Sequence, residues 1–400
     1  MKYVIVLGDG MADEPINELG GKTPLAYAKT PTIDLLAQTS EVGLVHTIPN
    51  GMKAGSDTAN LSVLGYNPEI YYSGRSPLEA LSIGVPMQND DIALRCNIVT
   101  LSEEDNIPYS QRTIIDHSSD EISTEDASVL IEAIRPLIEN EIFKLYVGTS
   151  YRHCLIWKGG EVKDITPPHD ILGKVIGDYL PEQNILREMM EKSYDILNNH
   201  PLNIARAKNG KRKANSIWLW GAGTKPRLDN FTQKTGKTGT MISAVDLLKG
   251  IAVGADMNVV NVEGANGGLH TNYEGKAEAA VKALLQDNQD FVYIHVEAPD
   301  EMGHQGSIEN KVQAIEWLDS RVITPVYEKL KQSGEDFRIM VLPDHPTPIR
   351  LRTHTASPVP YMLYDSTKQY KTNSEYTESF AESTGIVEKN GYKLIDKLFS

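Results

Sequence analysis

The side chains of this 400-residue chain that could do chemistry gather in four short segments. In Asp300-Glu301-Met302-Gly303-His304 a carboxylate and an imidazole stand four residues apart, a spacing that can converge on one divalent ion such as Mn2+ or Zn2+. An Asp that merely caps a helix beginning near Glu301 would look the same. Asp344-His345 adds an adjacent pair of the same donor types, and His354 follows nine residues later in Arg352-Thr353-His354-Thr355. Neighbouring Asp and His side chains rarely point at one ion. They serve one metal each or turn toward a shared cluster, so two metals become the natural reading. Taken alone, His354 reads as a surface-loop histidine.

Asp9 supplies a further carboxylate, in Gly8-Asp9-Gly10. These glycines could open a dinucleotide fingerprint, but position 13 is Asp where the third glycine belongs, and an acid in the tight turn would repel a pyrophosphate. Asp9 is therefore read as a metal ligand. The candidate nucleophile is Ser56, in Gly55-Ser56-Asp57-Thr58-Ala59-Asn60-Leu61. A serine at a helix start lies where backbone N–H groups and the helix dipole favour negative charge, and a metal there would lower its hydroxyl pKa. A plain N-cap serine is the alternative. Two divalent cations would outweigh the carboxylates of Asp9, Asp300 and Asp344 by one charge, which suits a phosphoryl group held for in-line displacement.

Three strands must position these acids. Tyr3-Val4-Ile5-Val6-Leu7, Phe291 to Val296 and Arg338 to Leu342 are apolar runs, and each delivers an Asp within a few residues of its carboxyl end. Helical periodicity lies between them, at Asn310 to Lys331 and Lys276 to Leu285. This alternation predicts an α/β fold, a mostly parallel sheet with helices on both faces and the ligand beyond the carboxyl ends of the strands. Residues 86–212 read as a second domain inserted into a first made of 1–85 and 213–400. The inserted part carries strands at Lys144 to Val147 and His153 to Trp157, helices at Thr124 to Ile138 and near Pro181 to Leu197, and Lys208 to Lys213 as its return linker.

Composition narrows the partners. Lys and Arg number 39 against 54 Asp and Glu, a formal charge of −15, so neither nucleic acid nor an anionic membrane is expected as a partner. The first apolar run is too short for a signal-peptide core, no segment approaches a membrane span, and the two cysteines imply neither a disulfide framework nor a structural zinc. A cytoplasmic location is expected. His270 and His295 read as packed or hydrogen-bonded structural histidines. Gly236-Lys237-Thr238 is not the end of a P-loop, because Phe231 stands where its first glycine belongs.

Together, Gly8-Asp9-Gly10, Gly55-Ser56-Asp57, Pro299 to His304, Asp344-His345 and His354 resemble the alkaline phosphatase superfamily. Within it the chain is most similar to the cofactor-independent phosphoglycerate mutases of the archaeal type, also through Gly74 to Ala80, Trp220 to Gly223, Lys237 to Ala244 and Asn272 to Ala277. The resemblance implies an alkaline-phosphatase-like core with an inserted α+β cap. It implies one metal on Asp300, His304 and His354, and a second on Asp9, Asp344, His345 and the nucleophile Ser56. The ions would be Mn2+ or Zn2+, with Mg2+ possible, and no bisphosphoglycerate would be needed. The activity it implies is an isomerase's: phosphate moves from the 3-position of glycerate to Ser56 and back to the 2-position while the cap closes over a small phosphorylated hydroxy acid. Arg75, Arg152, Arg206 and Lys237 are the substrate-binding candidates.

The family often has Ser-Thr after Asp-His, whereas Pro346-Thr347 stands here, removing a backbone donor and a hydroxyl. A homoserine kinase-like phosphotransferase or a phosphohydrolase on the same site is the alternative reading, and a non-catalytic metal-binding module a third.

Overall fold

The computed structural model describes residues 1–368 and 371–400. The chain divides into two compact units, Met1–Tyr72 with Arg227–Ser400, and Ser73–Pro226. Strands of the first unit are β1 (Lys2–Gly8), β2 (Glu41–Val45), β3 (Gly239–Ile242), β4 (Asn258–Val260), β5 (Phe291–Val296), β6 (Phe337–Leu342), β7 (Val359–Asp365) and β8 (Val387–Glu388). Among the described residues they form one sheet in the order β8-β2-β7-β6-β1-β5-β3-β4. Every pairing is parallel except those of β7 with β6 and with β2.

The near-continuous apolar run of β1 explains its central place, since a strand covered on both faces has no use for alternation. Val4, Val6, Val292, Ile294, Ile339 and Val341 belong to one buried cluster with Ala277, Ala280 and Leu284 of helix Tyr273–Leu285 and Ala314, Ile315 and Leu318 of helix Ile308–Leu318. The single helix predicted over Asn310 to Lys331 is instead Ile308–Leu318, a π turn at Asp319–Ile323, and Thr324–Ser333. Pro325 has no N–H to continue the helical ladder, so the register is taken up by a wider turn. The Asp319 carboxylate, in that turn, accepts N–H bonds from Thr32 at 3.2 Å and Ile33 at 2.7 Å and so caps helix Pro31–Ala37.

The second unit is antiparallel. Its long strand Asp91–Leu101 pairs with Ile114–Asp116, Arg152–Lys158 and Ser216–Thr224, and Phe143–Thr149 pairs with Arg152–Lys158. Helices Thr124–Ile138 and Asn184–Leu197 bury Leu130, Ile131, Ile134, Met190 and Leu197 in its core with Leu94, Ile98 and Trp218. The units part at 72/73 and 226/227, not at the predicted 85/86 and 212/213. Helix Arg75–Ser82 and strand Ser216–Thr224 belong to the second unit because they pack closely, and a Cβ on Gly223 would lie 2.4 Å from Ser73 O. The predicted basic return linker is also part of this unit. Arg212 pairs with Asp116 at 2.9 Å and Lys213 pairs with Glu103. Cys96 and Cys154 are buried and free, and among the described residues no helix is long and apolar enough to cross a membrane.

Candidate metal and nucleophile site

Because β6, β1 and β5 are adjacent and parallel, their carboxyl ends share one edge of the sheet. Asp9 follows β1 directly, Asp344 lies just past the end of β6, and Asp300 sits in the first turn of helix Ala298–Gln305 after β5. Gly10 lets these loops meet. Its φ is +58°, and a Cβ there would stand 2.5 Å from both Asp300 Oδ1 and Thr347 Oγ1.

The predicted ligands assemble as two groups, Asp300 with His304 and His354, and Asp9 with Asp344 and His345, the donor atoms within each group lying within 4.8 Å of one another. In the first, His304 Nε2 is 3.2 Å from Asp300 Oδ2 and 2.9 Å from His354 Nε2, and His354 Nε2 is 3.4 Å from Asp300 Oδ1. In the second, His345 Nε2 is 3.6 Å from Asp9 Oδ1 and 3.4 Å from Asp344 Oδ2. Donors about 2.1 Å from one ion at tetrahedral angles stand roughly 3.4 Å apart, so both groups fit a divalent cation. Asp9 Oδ1 strengthens the fit, as a buried oxygen with no hydrogen-bond partner among the described residues. The rings of His345 and His354 stack at 3.9 Å and bring the two groups side by side.

Ser56 opens helix Ser56–Val63, half-buried, with Oγ 3.1 Å from His345 Nε2. The predicted nucleophile thus lies against the second group. Asn60, one turn on, spends its amide on Ser56 O at 2.8 Å and Asp344 Oδ2 at 3.0 Å, and Tyr293 OH donates to its Oδ1 at 2.5 Å. Thr347 Oγ1 bonds to Asp300 Oδ1 and lies 3.3 Å from His345 Nδ1, joining the two groups. The hydroxyl that follows Pro346 therefore still serves the site.

Electrostatics agree with a site built for cations. Burial, reinforced by Asp344 and Asp300, pushes the Asp9 carboxyl well above its ordinary range. Bonds from His304 and His354 overcome burial and hold Asp300 well below it, while Asp300 lifts His304 to about 9. Burial depresses His345 and takes His295 to about 3. Without cations the acids hold on to protons or borrow charge from imidazoles, and a bound divalent ion would replace both.

The substrate candidates divide. Arg75 and Arg152 are exposed in the second unit and belong to a cluster that sequence reasoning did not find. Glu79 Oε1 and Oε2 lie 2.9 Å from Arg75 Nε and 2.7 Å from Arg95 Nε, and the Arg95 guanidinium stacks 4.5 Å over Trp220. Burial would raise Glu79, yet Arg95, Arg75 and Arg152 hold it below its ordinary value. Arg206 is a correction, being buried with each of its three nitrogens bonded inside the second unit, to Asp126 at 3.2 Å, Ser119 O at 2.8 Å and Arg212 O at 3.1 Å. Lys237 is another. It precedes β3, whose Gly239 pairs in parallel with Phe291 of β5, so it stands at the amino edge of the sheet, opposite the three acids, 5.1 Å over the Tyr3 ring.

Asn60, Thr347 and Arg95 lie outside the set that the sequence predicts, and His295, expected to be a packed or hydrogen-bonded structural residue, places Nε2 2.9 Å from Asp9 Oδ2. The signal for His295 and Tyr293 was a polar side chain inside an apolar strand run.

A family model for 2,3-bisphosphoglycerate-independent phosphoglycerate mutase matches residues 37–203. A protein of that name from Methanosarcina barkeri is 49% identical over 389 residues, 96% of this chain and 94% of that one. A solved Pyrococcus horikoshii protein superposes with a TM-score of 0.81 at 29% identity, covering 100% of this chain and 97% of that one. The cofactor-independent phosphoglycerate mutase of Thermoplasma acidophilum gives 0.65 at 26%, covering 100% and 99%. With its acids, imidazoles and serine gathered at one sheet edge and a relative this similar over nearly its whole length, the chain belongs to the 2,3-bisphosphoglycerate-independent phosphoglycerate mutase family.

Proposed function

We propose that the chain interconverts 3- and 2-phosphoglycerate through a phosphoserine at Ser56, without bisphosphoglycerate. The observation that carries this reading is the placement of Ser56 Oγ 3.1 Å from His345 Nε2, beside two groups of metal-type donors, in a chain of this family. Asp300, His304 and His354 would hold one divalent ion, and Asp9, Asp344, His345 and Ser56 a second. Mixed imidazole and carboxylate donors favour Mn2+ or Zn2+ over Mg2+. Bound there, such ions supply positive charge that acidifies the serine hydroxyl and neutralises phosphoryl oxygens.

The protein's own residues do the rest. Ser56 Oγ attacks phosphorus, the bond to the 3-oxygen of glycerate breaks, and the serine proton ends on that oxygen. The 2-hydroxyl of the same glycerate then attacks the phosphoserine, its proton returns to Ser56, and 2-phosphoglycerate leaves. Asn60 holds the Ser56 backbone and Asp344 in one frame, so the nucleophile is pre-positioned. Arg75, Arg95 and Arg152 of the second unit suit the carboxylate or phosphate of a small acid, because guanidinium forks match both groups. Two buried free cysteines suit a reducing cytoplasm.

Phosphorus NMR of 3-phosphoglycerate with Mn2+-loaded protein and no bisphosphoglycerate tests the reading. Formation of 2-phosphoglycerate with little free phosphate, lost in Ser56→Ala while both metals are retained, is expected. Release of inorganic phosphate alone, full turnover by Ser56→Ala, or transfer from ATP to homoserine instead would overturn it.

A further inference from the structure

One polar chain enters the site from inside the sheet and is used by none of the steps above. Val245 N donates to Ser243 Oγ at 3.0 Å, Ser243 Oγ lies 3.2 Å from His295 Nδ1, and His295 Nε2 lies 2.9 Å from Asp9 Oδ2. We propose that Ser243 and His295 are positioning residues that pin the Asp9 carboxylate by one oxygen, Oδ2, so that Oδ1 alone is offered to the cation held with Asp344 and His345.

As a metal ligand the Asp9 carboxylate is ionised and can only accept, and a neutral imidazole carries a single N–H, which together set the direction of the chain. Ser243 already accepts an N–H from Val245, and its hydroxyl proton has His295 Nδ1 as acceptor. The ring proton then sits on Nε2, and Asp9 Oδ2 accepts it. A His whose nitrogens are both engaged in this way has no lone pair left for a metal, and His295 accordingly stands outside both donor groups. Asp9 Oδ1 is left buried and without a hydrogen-bond partner among the described residues, 3.6 Å from His345 Nε2. A carboxylate otherwise turns about its last torsion and can offer either oxygen or both. A rigid ring on a central strand removes that freedom.

The support behind the ring is the buried sheet itself. His295 is fully buried in β5 and pairs directly with Leu7 of β1, two residues before Asp9. The fully buried Lys276 donates to His295 O at 2.8 Å. Ligand and support thus rise from neighbouring strands of one sheet, the arrangement that holds a binding group most accurately.

This inference rests on the two-metal reading, and its test separates the two. Mn2+ and Zn2+ affinities are measured by chelator competition for wild type, His295→Leu, His295→Gln and Ser243→Ala, alongside thermal melts of the metal-free proteins. Outer partners of this kind are worth roughly 10- to 100-fold in metal affinity. His295→Leu is expected to weaken one of the two ions by that factor and spare the one on Asp300, His304 and His354. His295→Gln, whose amide can donate to Oδ2, should recover part of the loss. Ser243→Ala leaves the strand intact and should still weaken the same ion several-fold, which keeps the test decisive if His295→Leu does not fold. Two ions bound by Ser243→Ala and His295→Gln with wild-type affinity would overturn the inference alone. A wild-type chain that takes up no divalent ion would overturn the metal reading and the inference with it.

Discussion

Lys311 offers the sharpest quantitative test of how this site is held. It is fully buried, and its ammonium donates to Asp13 Oδ2 at 2.7 Å, Thr347 O at 2.8 Å and Ala12 O at 3.4 Å. One side chain thus ties the loop after β1, which carries Asp9, to the loop after β6, which carries Asp344 and His345. In Lys311→Met the apolar stem remains and the charge goes. The Asp13 side chain, 1% exposed, is then left with backbone donors from Glu14 at 2.8 Å and Ile349 at 3.2 Å.

Removing one partner of a buried ion pair costs about 3–5 kcal/mol, and the surviving N–H donors put Asp13 near the lower end. The orphaned Thr347 carbonyl adds about 1 kcal/mol. A total near 4 kcal/mol, at about 2–4 °C per kcal/mol for a unit of this size, lowers its melting temperature by roughly 8–16 °C. Differential scanning calorimetry of the metal-free protein reads this directly. The double variant Asp13→Asn with Lys311→Met leaves no unpaired buried charge and should regain at least half of the loss. A fall below about 2 °C in the single variant, or a double variant no better than it, would refute the assignment of the energy to this pair.

Other outcomes follow from the same geometry. Mn2+ at a hundred times its Kd should stabilise the metal-binding unit by about 2.7 kcal/mol, raising its melting temperature by several degrees, and a chelator should reverse the rise; no rise in calorimetry counts against a metal at either donor group. Gly10→Ala puts a methyl group 2.5 Å from Asp300 Oδ1 at a φ of +58°, so it should cut divalent-ion affinity more than tenfold in chelator competition, whereas wild-type affinity would show the loops to be pliant. Burial lifts Asp319 to about 6, so the folded state holds this proton more tightly than the unfolded chain between about pH 4 and 6, and this group's contribution to stability falls as pH rises through that window. Asp319→Asn removes the titration, and its stability relative to wild type should improve by on the order of 2–3 kcal/mol from pH 4 to pH 7 in paired urea melts; a difference that does not change with pH would contradict the shift.

That the seven residues read as ligands and nucleophile gather in one place was legible because the strand ends follow from local patterns. An apolar run predicts a strand, adjacent parallel strands share a carboxyl edge, and an acid just past each run must arrive there. Nothing comparable marks a guanidinium as buried or free. Arg206 lies on the side of helix Pro201–Lys208 that also buries Asn203, and its partners, Asp126 and Ser119, are 80 and 87 residues away in sequence. Lys237 failed for a different reason: its motif carried no sign of strand direction, and the short strand after it runs toward the site, leaving Lys237 behind. The unit boundary moved because glycine at 223 admits a close helix contact that only the fold reveals.

Two residues that support the site from behind, Tyr293 and His295, were partly recoverable from the sequence. Tyr293 and His295 sit in a six-residue strand that is buried throughout. An unpaired polar group there would cost about 1–3 kcal/mol, so each must have a partner inside the protein. Side chains on a strand alternate between faces, and Tyr293 and His295, two apart, share one. Leu7 of the neighbouring strand pairs with His295 and is followed within two residues by an acid, so the partner of at least one of them had to lie at that acid's edge of the sheet. Both do: His295 meets Asp9, and Tyr293 reaches Asp344 through Asn60. Polar residues in an otherwise apolar central strand therefore carry functional information when the strand end beside them bears a ligand, since the same burial that hides them dictates what they must touch.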